Sequence, residues 1–357
     1  MKAVGYRQCL PVSDPHCLLD LELPDPVASG HDLLVRVHAV SVNPVDTKVR
    51  RGAPVPAGET RILGYDAAGV VEATGERVTR FRPGDRVYYA GSRARQGTNA
   101  ELHLVDERIV GHMPRSLDFP QAAALPLTTI TAWEALFDRL QLPRRKTIDQ
   151  GNAPDAAQHS GQAAASADAG AVLITAGAGG VGSIAIQLAR QLSDARVIAT
   201  ASRPQSREQA LSLGAHHVLD HNQPLSEALK ATGLRWVERV FSISHTHKHY
   251  AELCKLIAPQ GRICLIDDPP EPIDVRPLKA RCASLHWEAM FTRSGFETHD
   301  MIEQGRLLDE TARLIDAGIL RTTHAATLGP INAAALRHAH EMIESGQTIG
   351  KIVLAGF

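Results

Sequence analysis

Residues 175–190 read TAGAGGVGSIAIQLAR, with Gly177, Gly179 and Gly182 at the spacing G-x-G-x-x-G and Gly180 between them. The apolar run AVLITA (171–176) leads into these glycines. A stripe at helical spacing follows: Val181, Ile184, Ala185, Leu188 and Leu192. Strand, glycine turn and amphipathic helix in that order suit a dinucleotide pyrophosphate. Glycine allows the tight turn, lets the backbone come close to a phosphate and lets the helix lie against the strand. The helix N-terminus then offers N–H groups and a partial positive charge. Gly177, Gly179, Gly180, Val181 and Gly182 are therefore candidate cofactor-binding residues.

The next strand-like run, RVIATAS (196–202), selects the dinucleotide. A site for NAD carries Asp or Glu about 20 residues beyond the glycines, on the ribose 2′-hydroxyl. Here that place holds Ser202 and Arg203, with Arg207 following and no carboxylate. A hydroxyl and two guanidinium forks suit a 2′-phosphate, so the expected cofactor is NADPH. The alternative is that both arginines are solvated residues at a helix start.

Other clusters carry less chemistry. His245, His247 and His249 alternate in SHTHKHY and would share one side only in an extended segment; a solvated loop or helix start is the reading adopted. His338 and His340 sit two apart on a helical pattern and so diverge. Cys9, Cys17, Cys254, Cys264 and Cys282 form no C-x-x-C pair, and an odd count in a long chain favours free thiols in a reducing compartment.

These residues need a scaffold. The 357 residues exceed one compact core, which predicts two domains. Residues 1–127 read as all-β: LLVRVHAV (33–40), GVVEAT (69–74) and DRVYYAG (85–91) are separated by Gly, Pro and Asp, suggesting a small barrel or folded sheet. From 171 onward strand-like runs alternate with helical patterns, the signature of a parallel sheet covered on both faces. Residues 143–170 are rich in Ala, Gln, Gly, Ser and Asp and read as an exposed insertion. The tail, INAAALRHAHEMIESG and then QTIGKIVLAGF, predicts a helix and a last strand returning to the first domain. A net charge of −1 gives no global reason to expect nucleic acid or an anionic membrane. No apolar run has membrane-spanning length, and the start lacks a signal-peptide core, so a cytoplasmic protein is expected.

SVNPVDTKVRRG (41–52), LGYDAAGVVEATG (63–75), FRPGDRV (81–87), AALPLTTITAWEAL (123–136), the glycine loop, LGAHHVLDH (213–221) and IGKIVL (349–354) together resemble the medium-chain dehydrogenase/reductase superfamily, and within it the quinone oxidoreductase branch. The resemblance covers nearly the whole chain apart from 143–170. It implies an α/β fold: a GroES-like β-barrel catalytic domain (1–127 with 322–357), a doubly wound Rossmann domain (128–321), and a cleft between them. Homodimers are common among such relatives. Zinc-dependent members place a Cys where this chain has Asn43 and a His where it has Tyr65, and many carry four clustered Cys where residues 90–120 here have none. Zinc needs thiolate, imidazole or carboxylate donors, so neither zinc site is expected.

The resemblance also implies site residues. Asn43, Asp46 and Tyr65 become catalytic candidates. Thr128 and Thr131 match positions beside the nicotinamide, His221 one at the adenosine end, and Lys351 one within reach of the cofactor. Trp287 and Phe291 suggest an apolar wall. Without a metal, hydride transfer to an already activated acceptor remains open, namely a quinone or an α,β-unsaturated carbonyl. Two rival readings stay open: a zinc-independent alcohol or aldehyde oxidoreductase, and a cofactor-binding protein with little catalysis.

Overall fold

A computed structural model describes residues 1–145 and 170–357. The insertion expected over 143–170 thus falls almost wholly outside the described residues. The chain divides into two compact units. The first comprises Met1–Ile130, Met290–Asp316 and Arg321–Phe357; the second comprises Thr131–Ala289 and Ala317–Leu320. The segment Met290–Asp316, assigned from sequence to the second domain, groups with the first.

In the first unit the central strand is Asp32–Val42. Its DLLVRVHAVSV sequence alternates at first and then becomes buried on both faces, as β-branched residues in a pleated sheet permit. It pairs antiparallel with Asp66–Thr74, Leu102–Asp106 and the last strand, Lys351–Ala355. Register shifts at Leu34/Val35 and Val37/Ala39 interrupt its ladder with Asp66–Thr74, and such irregularities bend a strand. Arg86–Ala90, Val110–His112 and His324–Thr327 complete a seven-stranded sheet among the described residues. The predicted terminal helix is Ala333–Glu344, capped by Asn332, which accepts from the Ala335 N–H at 2.8 Å. A shorter helix, Pro44–Gly52, follows the central strand directly.

The second unit is a parallel sheet. Its six described strands run in the spatial order His217–Leu219, Arg196–Thr200, Ala171–Ile174, Val237–Ser242, Ile257–Leu265, Ser284–Trp287. Two halves thus grow outward from Ala171–Ile174, the doubly wound arrangement whose carboxyl strand ends form a ligand crevice. Strand Ala171–Ile174 is wholly buried, as a parallel sheet covered on both faces requires. The following helix, Gly180–Leu192, is buried over most of its circumference. A core of Leu173, Ile198, Val240, Leu253, Ile263 and Leu265 holds sheet and helices together.

Candidate functional site

In the first unit the catalytic candidates lie around the start of helix Pro44–Gly52 and the turn before strand Asp66–Thr74. Asn43, Asp46, Tyr65, Asp66 and Lys351 are all buried. The Lys351 ammonium makes three bonds: to the Val42 carbonyl (3.0 Å), to Asp66 Oδ2 (3.1 Å) and to Asn43 Oδ1. The Asn43 amide donates to Asp66 Oδ2 at 2.7 Å and to the Ser41 carbonyl at 3.3 Å. Asp66 Oδ1 accepts from the Leu127 N–H at 2.7 Å, at the start of helix Pro126–Trp133. Asp46 accepts from the Asn43 N–H (2.7 Å) and the Gly64 N–H (3.2 Å).

The electrostatics follow from burial. Desolvation pushes the Asp46 carboxyl up to about 7 against the pull of the Asn43 N–H and Lys351. It pulls the Lys351 ammonium below the usual lysine range, while Asp66 pulls it back. Tyr65 is raised to about 12 by burial and by neighbouring Asp46. Its hydroxyl therefore keeps its proton near neutral pH. The Tyr65 ring meets Phe291 edge to face at 4.9 Å. Gly64 is fixed by geometry: its φ is +97°, and a Cβ would lie 2.4 Å from Asn99 Oδ1. The Thr98 N–H donates to the Gly64 carbonyl at 2.9 Å and pins the turn.

The structure brings together Asn43, Asp46 and Tyr65, the three catalytic candidates that the resemblance implied. It adds Asp66, which accepts from three groups and was not among the sequence candidates. Its position beside Tyr65 was the available signal. Lys351, expected near the cofactor, has all three ammonium hydrogens engaged inside this unit. Thr128 is buried and donates to the Leu125 carbonyl at 3.1 Å. Thr131 is buried on the same helix.

This donor set does not fit zinc. Asn43 uses both amide hydrogens and accepts from an ammonium, Tyr65 is a protonated phenol, and Asp66 already faces the Lys351 cation. Among the described residues no three His, Cys, Asp or Glu side chains group in a way that could hold a metal. A divalent ion beside Asp66 would meet Lys351 at close range, and two cations in low dielectric repel strongly.

In the second unit the glycine loop fits a dinucleotide. A Cβ on Gly182 would lie 2.3 Å from the Ala176 carbonyl oxygen, and one on Gly177 would lie 2.8 Å from the Ala199 Cβ. Both positions let the helix close on the strand. A Cβ on Gly179 would meet only the Ala176 oxygen, at 3.5 Å, so that face is clear for an approaching phosphate. Gly179 is the N-cap of helix Gly180–Leu192 and no side chain caps it, which leaves the role of first-turn partner to an anion. Val181 is half-buried on the first turn. Ser202 is half-buried just past strand Arg196–Thr200. Arg203 is exposed at the N-cap of helix Pro204–Ser212. Arg207 lies one turn further on and reaches back to the Ala201 carbonyl at 3.3 Å, bracing the strand end. His221 follows the next strand, half-buried. Trp287, offered as part of an apolar wall, is 55% exposed.

Comparison with known proteins agrees with this fold. Residues 29–115 match the alcohol dehydrogenase GroES-like domain, and residues 180–304 match the family described as zinc-binding dehydrogenase. A zinc-type alcohol dehydrogenase-like protein of Staphylococcus epidermidis is 34% identical over 99% of both chains. A crystal structure from Rhizobium etli CFN 42, described as a candidate zinc-dependent alcohol dehydrogenase, is 56% identical with a TM-score of 0.91, covering 100% of this chain and 98% of that one. The Escherichia coli quinone oxidoreductase, solved with NADPH, shares the fold at 23% identity and a TM-score of 0.78, over 99% and 100% of the two chains. The chain belongs to the medium-chain dehydrogenase/reductase superfamily, in its quinone oxidoreductase-like branch. It is an oxidoreductase of that family with a pyridine-nucleotide-binding fold.

Proposed function

We propose that this protein is a zinc-independent, NADPH-dependent reductase of quinones or α,β-unsaturated carbonyls. The observation that carries the reading is the edge formed by Ser202 and Arg203. Where a 2′-hydroxyl would need a carboxylate, the strand ends in a hydroxyl and an exposed guanidinium. The Escherichia coli quinone oxidoreductase solved with NADPH supports the same cofactor class.

Bound at the Gly177–Gly182 turn, the cofactor would supply hydride. The chain's own residues supply binding and orientation. Gly179, Gly180 and Val181 present backbone to the pyrophosphate, and Ser202 and Arg203 present donors to the ribose phosphate. The choice of acceptor rests on the first unit. Alcohol oxidation in this superfamily calls for a Lewis acid at the oxygen, and the Asn43–Asp66–Lys351 cluster cannot take one. Quinones and enones are already electrophilic. They ask only for a hydrogen-bond donor where negative charge gathers on oxygen. Tyr65, kept protonated by burial, is the candidate donor.

The test is a panel of quinones, enals, enones and alcohols assayed with NADPH at the cofactor's absorbance, with NADH in parallel. Turnover confined to quinones or enones, and faster with NADPH, is the expected result. Turnover of alcohols alone would replace the reading with an alcohol oxidoreductase. Cofactor binding without turnover on any acceptor would replace it with a binding protein.

A further inference from the structure

The histidines of SHTHKHY stand at a helix start, as expected, with His245 and His247 exposed. His245 caps helix Thr246–Leu256 with a left-handed backbone (φ 54°, ψ 33°). From the first turn of that helix His249 meets His221 edge to face, with ring centroids 5.8 Å apart. The rings of His245 and His247 lie 6.3 Å apart. His221 and His249 are half-buried, while His245, His247 and Lys248 are exposed.

Strand register fixes where this group stands. Thr200 pairs with Leu219 across the parallel ladder. The Ala201 N–H then donates to the Leu219 carbonyl at 3.0 Å. Ser202 and His221 stand two residues past Thr200 and Leu219 respectively, beyond the carboxyl ends of neighbouring strands. The histidines therefore share a strand-end edge with Ser202 and Arg203. Charge at this edge is unequal. Lys248 and Arg203 lie here among four imidazoles, and the acidic groups are Asp220 and Asp267. The Asp267 carboxylate is engaged by the Thr246 N–H (2.9 Å) and hydroxyl, and Asp220 accepts from the Asn222 N–H at 2.9 Å.

We propose that the His221–His249 pair, with His245 behind it, couples proton uptake to recognition of the cofactor's 2′-phosphate, so that NADPH binding draws protons from solvent and NADH binding does not. This rests on the NADPH reading above. In the free protein burial holds both rings below the usual imidazole range, His249 further lowered by His221 and His221 by His245, with Asp220 opposing. They are thus neutral at pH 7. A phosphate dianion arriving beside His221 reverses that balance and favours the imidazolium. Each histidine raised by one pKa unit tightens NADPH binding up to about tenfold as pH falls through the shifted range. Cofactor selectivity should therefore sharpen under mild acid.

Titration calorimetry of the whole protein at pH 7, in two buffers of different ionisation heat, tests this with NADPH and NADH. Net proton uptake with NADPH and none with NADH is expected. The sign is diagnostic, because a phosphate with its second pKa near 6 that binds as the dianion releases protons instead. His249→Gln should reduce the uptake; His221→Gln should do the same and covers the case in which the first variant misfolds. Buffer-independent heats, net release, equal uptake with NADH, or uptake unchanged in a folded variant would each overturn the proposal. If NADPH fails to bind while NADH binds, the cofactor reading itself falls and takes this proposal with it.

Discussion

The two units handle polar groups in opposite ways. Around Asn43, Asp66 and Lys351 the donors are turned inward: an ammonium, an amide and the Asp66 carboxylate satisfy one another in a buried cluster. At the Gly177–Gly182 turn the Gly177 and Gly179 N–H groups donate to the Thr200 and Ala176 carbonyls, while Arg203 stands exposed past the strand end. The contrast teaches that chemistry-bearing residue types are not by themselves a binding surface. The closed cluster braces strand Asp66–Thr74, just before which Tyr65 stands, and the open edge is where recognition is proposed.

Removing the cation is the most direct way to break the closed side. Lys351→Met leaves Asp66 charged and buried without its partner, and should cost about 3–5 kcal/mol of stability in chemical denaturation. Adding Asp66→Asn to that variant should return part of the loss.

The next largest effect sharpens the contrast within the first unit, whose interior is not uniformly satisfied. His340 is buried with neither ring nitrogen hydrogen-bonded, and burial followed by Arg50 lowers its pKa to about 3. The unfolded value is near 6.5, so the unfolded state takes up the proton first. The stability contribution is complete above pH 6.5 and declines as pH falls towards 3. At pH 5 the decline should be about 2 kcal/mol, and His340→Leu should remove it when denaturation midpoints at pH 7.5 and pH 5 are compared.

On the open side, Arg203→Ala should weaken NADPH about tenfold, the value of one charge-assisted contact at a partly exposed site, while NADH affinity changes less than about twofold by the same reasoning. Equal losses would show that the edge does not read the 2′-phosphate. The smallest expected effect is Gly179→Ala. The Cβ has room, so stability should stay within about 0.5 kcal/mol, yet the methyl covers the face left clear for phosphate, and affinity for both dinucleotides should fall.

Much of this was legible in the sequence. The glycine loop and its strand and helix are local, and their spacing alone declares them. Asn43, Asp46 and Tyr65 were nameable as candidates only through family likeness. Lys351 was not readable, because a lysine in IGKIV shows nothing of its burial until Asp66, 285 residues earlier, is brought against it. The exhaustion of Asn43's hydrogen bonds was hidden for the same reason. His221 and His249 meet only after helix Thr246–Leu256 is laid beside the strand ends. Met290–Asp316 changed units because its side chains, among them Phe291 against Tyr65, belong to the first core.

The lysine on the last strand also sets a timetable. Asp66 and Lys351 are separated by 285 residues, and ribosomes add about 5–20 residues per second, so the nascent chain carries that carboxylate without its counter-ion for roughly 15–60 s. The opening sheet cannot be sealed until the closing strand emerges.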